Sequence, residues 1–210
     1  MIISENEKLE RDRAYSAYLR SKSSGHFQAW VVRLTGARGS GKSLVLASMA
    51  CTDLAKGVPV WSNMKVTLTE DVFNWNCKEE DKKLRRWLKK EAVGRQTLPL
   101  DWDAFYSLSE DLAGGTVCID EAQYFSDSRS ALSLKNRLLN AIVAQVRKRN
   151  LNLYYTVKQG DWIDKRLSYE TDIEVQCEDT FRSDWAKARG VPPGEMIMVR
   201  MFDLSGAVTG

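Results

Sequence analysis

Short apolar runs and longer periodic ones alternate along this chain. Phe27 to Thr35 (FQAWVVRLT), Pro59 to Asn63, Thr116 to Asp120 (TVCID), Leu151 to Val157 and Ile173 to Cys177 are rich in β-branched and aromatic residues and read as strands. Leu44 to Gly57 reads as a helix closed by its glycine. Leu134, Leu138, Leu139, Ile142 and Val146 recur every three or four positions, which predicts an amphipathic helix over 134–148 lying on a sheet. Pro192-Pro193-Gly194 makes a turn into a last strand, Met196 to Phe202, expected to pair nearby. Parallel strands need crossover connections, so this alternation predicts an α/β fold with a mainly parallel sheet and flanking helices. Two stretches fall outside the pattern. Residues 1–25 are rich in charge, Ser and Tyr and read as an arm preceding the domain, while residues 64–114 are polar and irregular and read as an insertion with helical parts.

Composition narrows the class. A chain of 210 residues with 43% hydrophobic and 28% charged residues fits one folded domain, residues 26–210, carrying the insertion. No run of about 18 apolar residues occurs, and Met1 to Lys22 is charged where a secretion signal needs an apolar stretch; the expectation is a protein without a transmembrane segment that stays inside a cell. Four dispersed cysteines and one histidine, His26, argue against a zinc site, a disulfide framework or a Ser-His-Asp hydrolase. The net charge is +3, but its distribution is uneven. Residues 1–100 hold 18 Lys/Arg against 11 Asp/Glu, and residues 101–210 hold 13 against 17, which places an anion-binding surface in the first half.

The sharpest chemistry is the octapeptide Gly36-Ala37-Arg38-Gly39-Ser40-Gly41-Lys42-Ser43, followed by Leu44. It matches the phosphate-binding pattern G-x-x-x-x-G-K-[ST] in full, with a strand before it and a helix after it. Glycines let successive N–H groups point at phosphate oxygens, and the helix N-terminus adds partial positive charge. Lys42 is expected on the β- and γ-phosphates and the Ser43 hydroxyl on Mg²⁺, whose second protein ligand is an acid ending a buried strand: Asp120. Glu121 follows it, either as the general base or water-orienting group of a hydrolysis or as a simple helix cap. No Asn-Lys-x-Asp guanine-recognition motif is present, so ATP is the expected nucleotide. A polar residue at the end of the strand beside the loop is expected to sense the γ-phosphate, and Gln159 is the candidate. A guanidinium supplied by a second copy would complete such a site, with Arg147 and Arg149 as candidates and Arg166 in reserve.

GARGSGKS, VWSNMKV, TVCIDEAQYF and RKRNLNLYYTVKQGDWIDKRL, in that order, resemble the FtsK/HerA superfamily of P-loop ATPases. Within it the chain looks most like viral genome-packaging ATPases and zonula occludens toxin-like ATPases, over roughly residues 28–178. The resemblance implies a RecA-like P-loop NTPase core of the additional-strand, catalytic-glutamate type, ATP hydrolysis with Mg²⁺, and a homo-oligomeric ring around DNA. It assigns Lys42 and Ser43 to phosphate and metal, Asp120 to metal, Glu121 to water activation and Gln159 to the sensor position. The toxin-like proteins carry a membrane-spanning segment after the ATPase and large terminases a nuclease domain; this chain shows neither. The reading that follows is a motor packaging double-stranded viral DNA through a capsid or portal vertex, in a host cytoplasm or at the virion vertex. Single-stranded phage DNA export and an ATP-switched assembly scaffold with little turnover are the alternatives. Lys82 to Lys90 holds six basic residues in nine and reads either as a DNA contact, with Leu84, Trp87 and Leu88 turned inward, or as a solvated face partly neutralised by Glu79, Glu80, Asp81 and Glu91.

Overall fold

The pleat of one strand sets up both layers of the core. In β1 (Val31–Thr35) all five residues are buried, with Val32 and Leu34 facing one side of the sheet and Val31 the other. The protein is described from a computed structural model, which covers residues 29–76, 82–101, 114–124, 143, 146–158 and 165–204. The expected arm at 1–25, most of the helix at 134–148, Glu79 to Asp81 and Gln159 lie outside the described residues, and of Leu84, Arg147 and Arg166 only the backbone is described.

After β1 come α1 (Lys42–Ala55), β2 (Val60–Ser62), α2 (Glu70–Asn76), α3 (Lys82–Ala92), β3 (Leu98–Pro99) and β4 (Thr116–Ile119). A 3-10 turn at Arg147–Arg149 leads into β5 (Asn152–Thr156), followed by α4 (Lys165–Tyr169), β6 (Ile173–Asp179), α5 (Asp184–Ala188) and β7 (Ile197–Asp203). The seven strands form one sheet in the order β3-β2-β4-β5-β1-β6-β7. Every neighbouring pair is parallel except β6 with β7, an antiparallel pair in which Ile173 faces Asp203 and Asp179 faces Ile197. The last strand thus completes its own sheet.

Helix α1 covers one face. Leu46, Ala50 and Leu54, at helical spacing, pack with Val32, Leu34, Val60, Cys118 and Tyr154. Beneath α1, buried Asp53 accepts a hydrogen bond from Thr116 Oγ1 at 2.7 Å and another from Tyr154, tying the helix to β4 and β5. On the other face Val117, Ile119, Leu153, Tyr155 and Val157 pack with Val143, Val146 and Leu167.

The segment expected as an irregular insertion is more ordered than its polarity suggests. Its helices send Phe73, Leu88 and Ala92 into the α1-side core, and backbone bonds from Leu68 to Arg95 and from Thr97 to Val66 close it on itself. Two helices of 7 and 11 residues need only these few apolar anchors, too few to show as periodicity. Trp87, expected inward with Leu88, is instead exposed.

Candidate active site

The phosphate loop is held by a hairpin as well as by its own glycines. Gly36 has φ +146°, and a Cβ there would run into the carbonyl oxygen of Cys177 on β6. Gly41, the left-handed N-cap of α1 with φ +86°, leaves room for the side chain of Ile197, the first residue of β7. Only glycine combines these backbone angles with this closeness. Lys42 folds back over the loop, its Nζ donating to the carbonyls of Gly36 and Ala37 at 2.9 Å each. Burial pulls the Lys42 ammonium below the ordinary lysine range; the carboxylates of Asp120 and Glu121 oppose that shift and the charge of Lys158 adds to it. These groups therefore share one electrostatic site.

Strand β4 delivers the acids. Ser43 Oγ donates to the carboxylate of Asp120, 3.0 and 2.9 Å from its two oxygens. A hydroxyl and a carboxylate brought together in this way supply two hard oxygen donors, which suits a magnesium ion that fills its remaining positions with water and phosphate oxygens. The backbone of Asp120 is clamped from β2: its N–H donates to Asn63 Oδ1 at 2.8 Å, and its carbonyl accepts from Asn63 Nδ2 at 2.9 Å.

Glu121 has a left-handed backbone, φ +55°, unusual for a residue with a side chain. Its N–H donates to Thr156 Oγ1 at 2.7 Å, and that hydroxyl in turn donates to Asp120 Oδ1 at 2.6 Å. Thr156 thus sets both acids at once, from the end of the strand between β4 and β1. Neither this role nor the amide clamp of Asn63 is visible in the linear sequence, since each depends on register between strands; the one available signal was that both residues lie at or next to the end of an apolar run.

The structure brings Lys42, Ser43, Asp120 and Glu121 together. Ala37, Arg38 and Gly39 are exposed on the loop and Leu44 on the first turn of α1, whereas Ser40 is buried with its hydroxyl unpartnered. Strand β5 ends at Thr156, three residues before Gln159, which is outside the described residues. The turn with Arg147 and Arg149 precedes β5, at the opposite edge of the sheet from the phosphate loop.

No family model matches the sequence, and no curated protein matches it either. Among solved structures, the genome packaging NTPase B204 from Sulfolobus turreted icosahedral virus 2, in complex with ATP-gammaS, is similar with a TM-score of 0.51 at 14% identity, over 87% of this chain and 95% of that one. The N-terminal domain of zonular occludens toxin from Neisseria meningitidis has a TM-score of 0.49 at 19% identity, over 86% and 97%. In this chain the strand that carries the phosphate loop and the strand that carries the acids are separated by one further strand, β5, and both end at the same edge of a mostly parallel sheet. The fold is that of the P-loop NTPases, in the RecA-like, additional-strand arrangement that the sequence motifs implied.

Proposed function

We propose that this chain is a Mg²⁺-dependent ATPase that drives DNA translocation, with packaging of a double-stranded viral genome as its task. The observation that carries the reading is the Ser43–Asp120 pair lying beside Lys42, with Glu121 as the next residue.

Bound at Ser43 and Asp120, magnesium would neutralise phosphate charge and orient the terminal phosphoryl group. The chain's own residues do the rest. Loop N–H groups and the start of α1 bind the phosphates. Lys42 exchanges its two carbonyl acceptors for phosphate oxygens, a move that its hydrogen bonds to Gly36 and Ala37 leave short. Glu121, fixed through its backbone by Thr156, takes a proton from the attacking water or orients that water. An arginine from a second copy, Arg147 or Arg149, with Arg166 in reserve, meets the charge that develops on the phosphoryl oxygens.

Coupling to DNA is supported by the insertion. Lys82, Lys83, Arg86 and Lys90 are exposed along α3, and Trp87 and Trp75 are exposed on α3 and α2. Lys89 is drawn off into an ion pair with Glu70. A short basic helix of this kind grips phosphates without reading sequence. Ring assembly is supported by β7, an edge strand with Met198, Val199, Met201 and Phe202 exposed; a capsid or portal protein is the further partner of such a motor. B204, described as a genome packaging NTPase, holds ATP-gammaS on the same fold. No described helix is long and apolar enough to cross a membrane.

The test is steady-state ATP hydrolysis with and without linear duplex DNA, on wild type and Glu121→Gln, at a concentration where light scattering shows the oligomer. The expected result is hydrolysis stimulated by duplex and reduced about a hundredfold or more by the substitution. Stimulation by single strands alone would favour phage DNA export, and binding without turnover would favour the assembly scaffold.

A further inference from the structure

We propose that the α2–α3 pair is a binding site for unpaired DNA, in which Trp75 stacks on a base while Lys82, Arg86 and Lys90 hold the phosphates beside it. The proposal rests on the DNA reading above and adds to it a stacking residue and a strand preference.

The two helices stand side by side as a hairpin. Backbone bonds close its base, from the N–H of Leu68 to the carbonyl of Arg95 at 2.8 Å and from the N–H of Gly94 to the carbonyl of Leu68 at 2.9 Å. Lys89, in the last turn of α3, pairs with Glu70, the first residue of α2. The helices therefore run in opposite directions, and Trp75, near the end of α2, lies toward the end of the hairpin where α3 begins with Lys82.

Helical periodicity turns these residues outward together. Phe73 of α2 and Leu88 of α3 are buried in the same α1-side core, which fixes the inward face of each helix. Trp75 follows Phe73 by two positions, about 200° round the helix. Arg86 and Lys90 stand two positions either side of Leu88, and Lys82 falls one turn before Arg86 in the same row. All three cations are exposed, and Trp75 is 86% exposed. Asp71, one turn before Trp75, faces outward against these three cations; Glu79 to Asp81, which precede α3, are outside the described residues.

A tryptophan is highly buried on average, so one left almost wholly in water has much apolar surface for a ligand to cover. The cations beside it select a polyanion, and the flat ring selects a planar apolar face. A nucleic acid strand offers both. In a duplex the base faces are stacked on one another and closed to a ring from outside. In a single strand or a frayed end they are open, so Trp75 favours the unpaired form while the cations serve either.

The experiment is fluorescence anisotropy of labelled oligo(dT) and of a labelled duplex of the same length, over a salt series, with the full chain as wild type, Trp75→Ala, Trp75→Phe and the combined Lys82→Ala, Arg86→Ala, Lys90→Ala variant. For Trp75→Ala the expected result is oligo(dT) affinity about tenfold weaker with its salt slope unchanged, and duplex affinity changed by no more than about twofold. Trp75→Phe keeps most of the oligo(dT) affinity. The combined variant weakens both DNAs and flattens both salt slopes. A urea midpoint equal to that of wild type shows that Trp75→Ala is folded. Equal losses for the two DNAs, or no loss for either, would overturn the stacking site. A wild type that binds duplex but not oligo(dT) overturns it alone and leaves the DNA reading standing. A wild type that binds neither overturns the DNA reading and Trp75 with it.

Discussion

Thr156 is among the least exposed polar residues of the chain, and its hydroxyl is used twice, as acceptor from Glu121 and donor to Asp120. Thr156→Val keeps the shape and removes both bonds, leaving a partly buried N–H unsatisfied at a cost of about 1–3 kcal/mol. The expected outcome is a fall in kcat of about tenfold or more with little change in KM, and recovery in Thr156→Ser, read from steady-state kinetics. Two carboxylates, buried Asp53 and half-buried Glu174, give opposite pH signatures. At Glu174 burial raises the pKa, but hydrogen bonds from Arg33 and Thr35 outweigh it and hold the carboxyl below its ordinary range. Its contribution to stability is present above the unfolded glutamate value of about 4.3 and is lost as pH falls through the lower folded value. Asp53 is raised, chiefly by burial, against the hydrogen bonds from Thr116 and Tyr154. Its contribution is full below the unfolded aspartate value of about 3.9 and is lost as pH rises through the folded value. Urea melts across acid and neutral pH should therefore show Asp53→Asn gaining on wild type as pH rises. Glu174→Gln should lose most to wild type at neutral pH, by about 3 kcal/mol, because it strands the Arg33 guanidinium. Lys42, Ser43, Asp120 and Glu121 could be named before any fold was known, because a contiguous motif fixes their chemistry. Thr156 and Asn63 could not, because their chemistry comes from neighbours between 35 and 57 positions away that only the sheet brings close.

At the level of elements, the hairpin β6–β7 and the phosphate loop form one unit. A methyl group at Gly36 meets a backbone carbonyl, which cannot turn aside, while one at Gly41 meets the flexible side chain of Ile197. Gly36→Ala is thus expected to lose ATP-gammaS binding with no rescue. Gly41→Ala should regain part of its binding when combined with Ile197→Ala, the remainder being the strain of a left-handed alanine, about 1 kcal/mol; calorimetric titration with ATP-gammaS reads both. The strands β4, β5, β6 and β7 were legible as apolar runs to within one or two residues, while β1 begins four residues after the start of its run. The order in which they pair was not, because strand order is set by the helices that cross between them. The packing of the insertion escaped notice for a different reason. Its anchors Leu68, Phe73, Leu88 and Ala92 are scattered among charges, and they acquire meaning only against the surface that α1 and the sheet present. Leu88→Ala is expected to cost about 3 kcal/mol in a chemical melt, a core penalty from a helix that reads as surface.

For the molecule as a whole, charge and chemistry are divided across the sheet. The groups proposed for catalysis collect at the C-terminal ends of β1, β4 and β5, whereas the cluster of exposed Lys82, Lys83, Arg86 and Lys90 lies on α3, in the excursion between β2 and β3 at one end of the strand order. Reversing Lys82, Arg86 and Lys90 to Glu should weaken duplex binding and flatten its salt dependence by about two to three phosphate contacts, leaving ATP hydrolysis without DNA unchanged; fluorescence anisotropy over a salt series checks the first part and an ATPase assay the second. These residues belong to the excess of positive charge in the first half of the sequence, and the separation of α3 from the phosphate loop is a result of topology alone. At the other end of the strand order, β7 lies open to solvent along its free edge while its first residue rests on Gly41. The edge strand and the phosphate loop are thus joined through one aliphatic side chain, as the two arms of a short lever share a pivot.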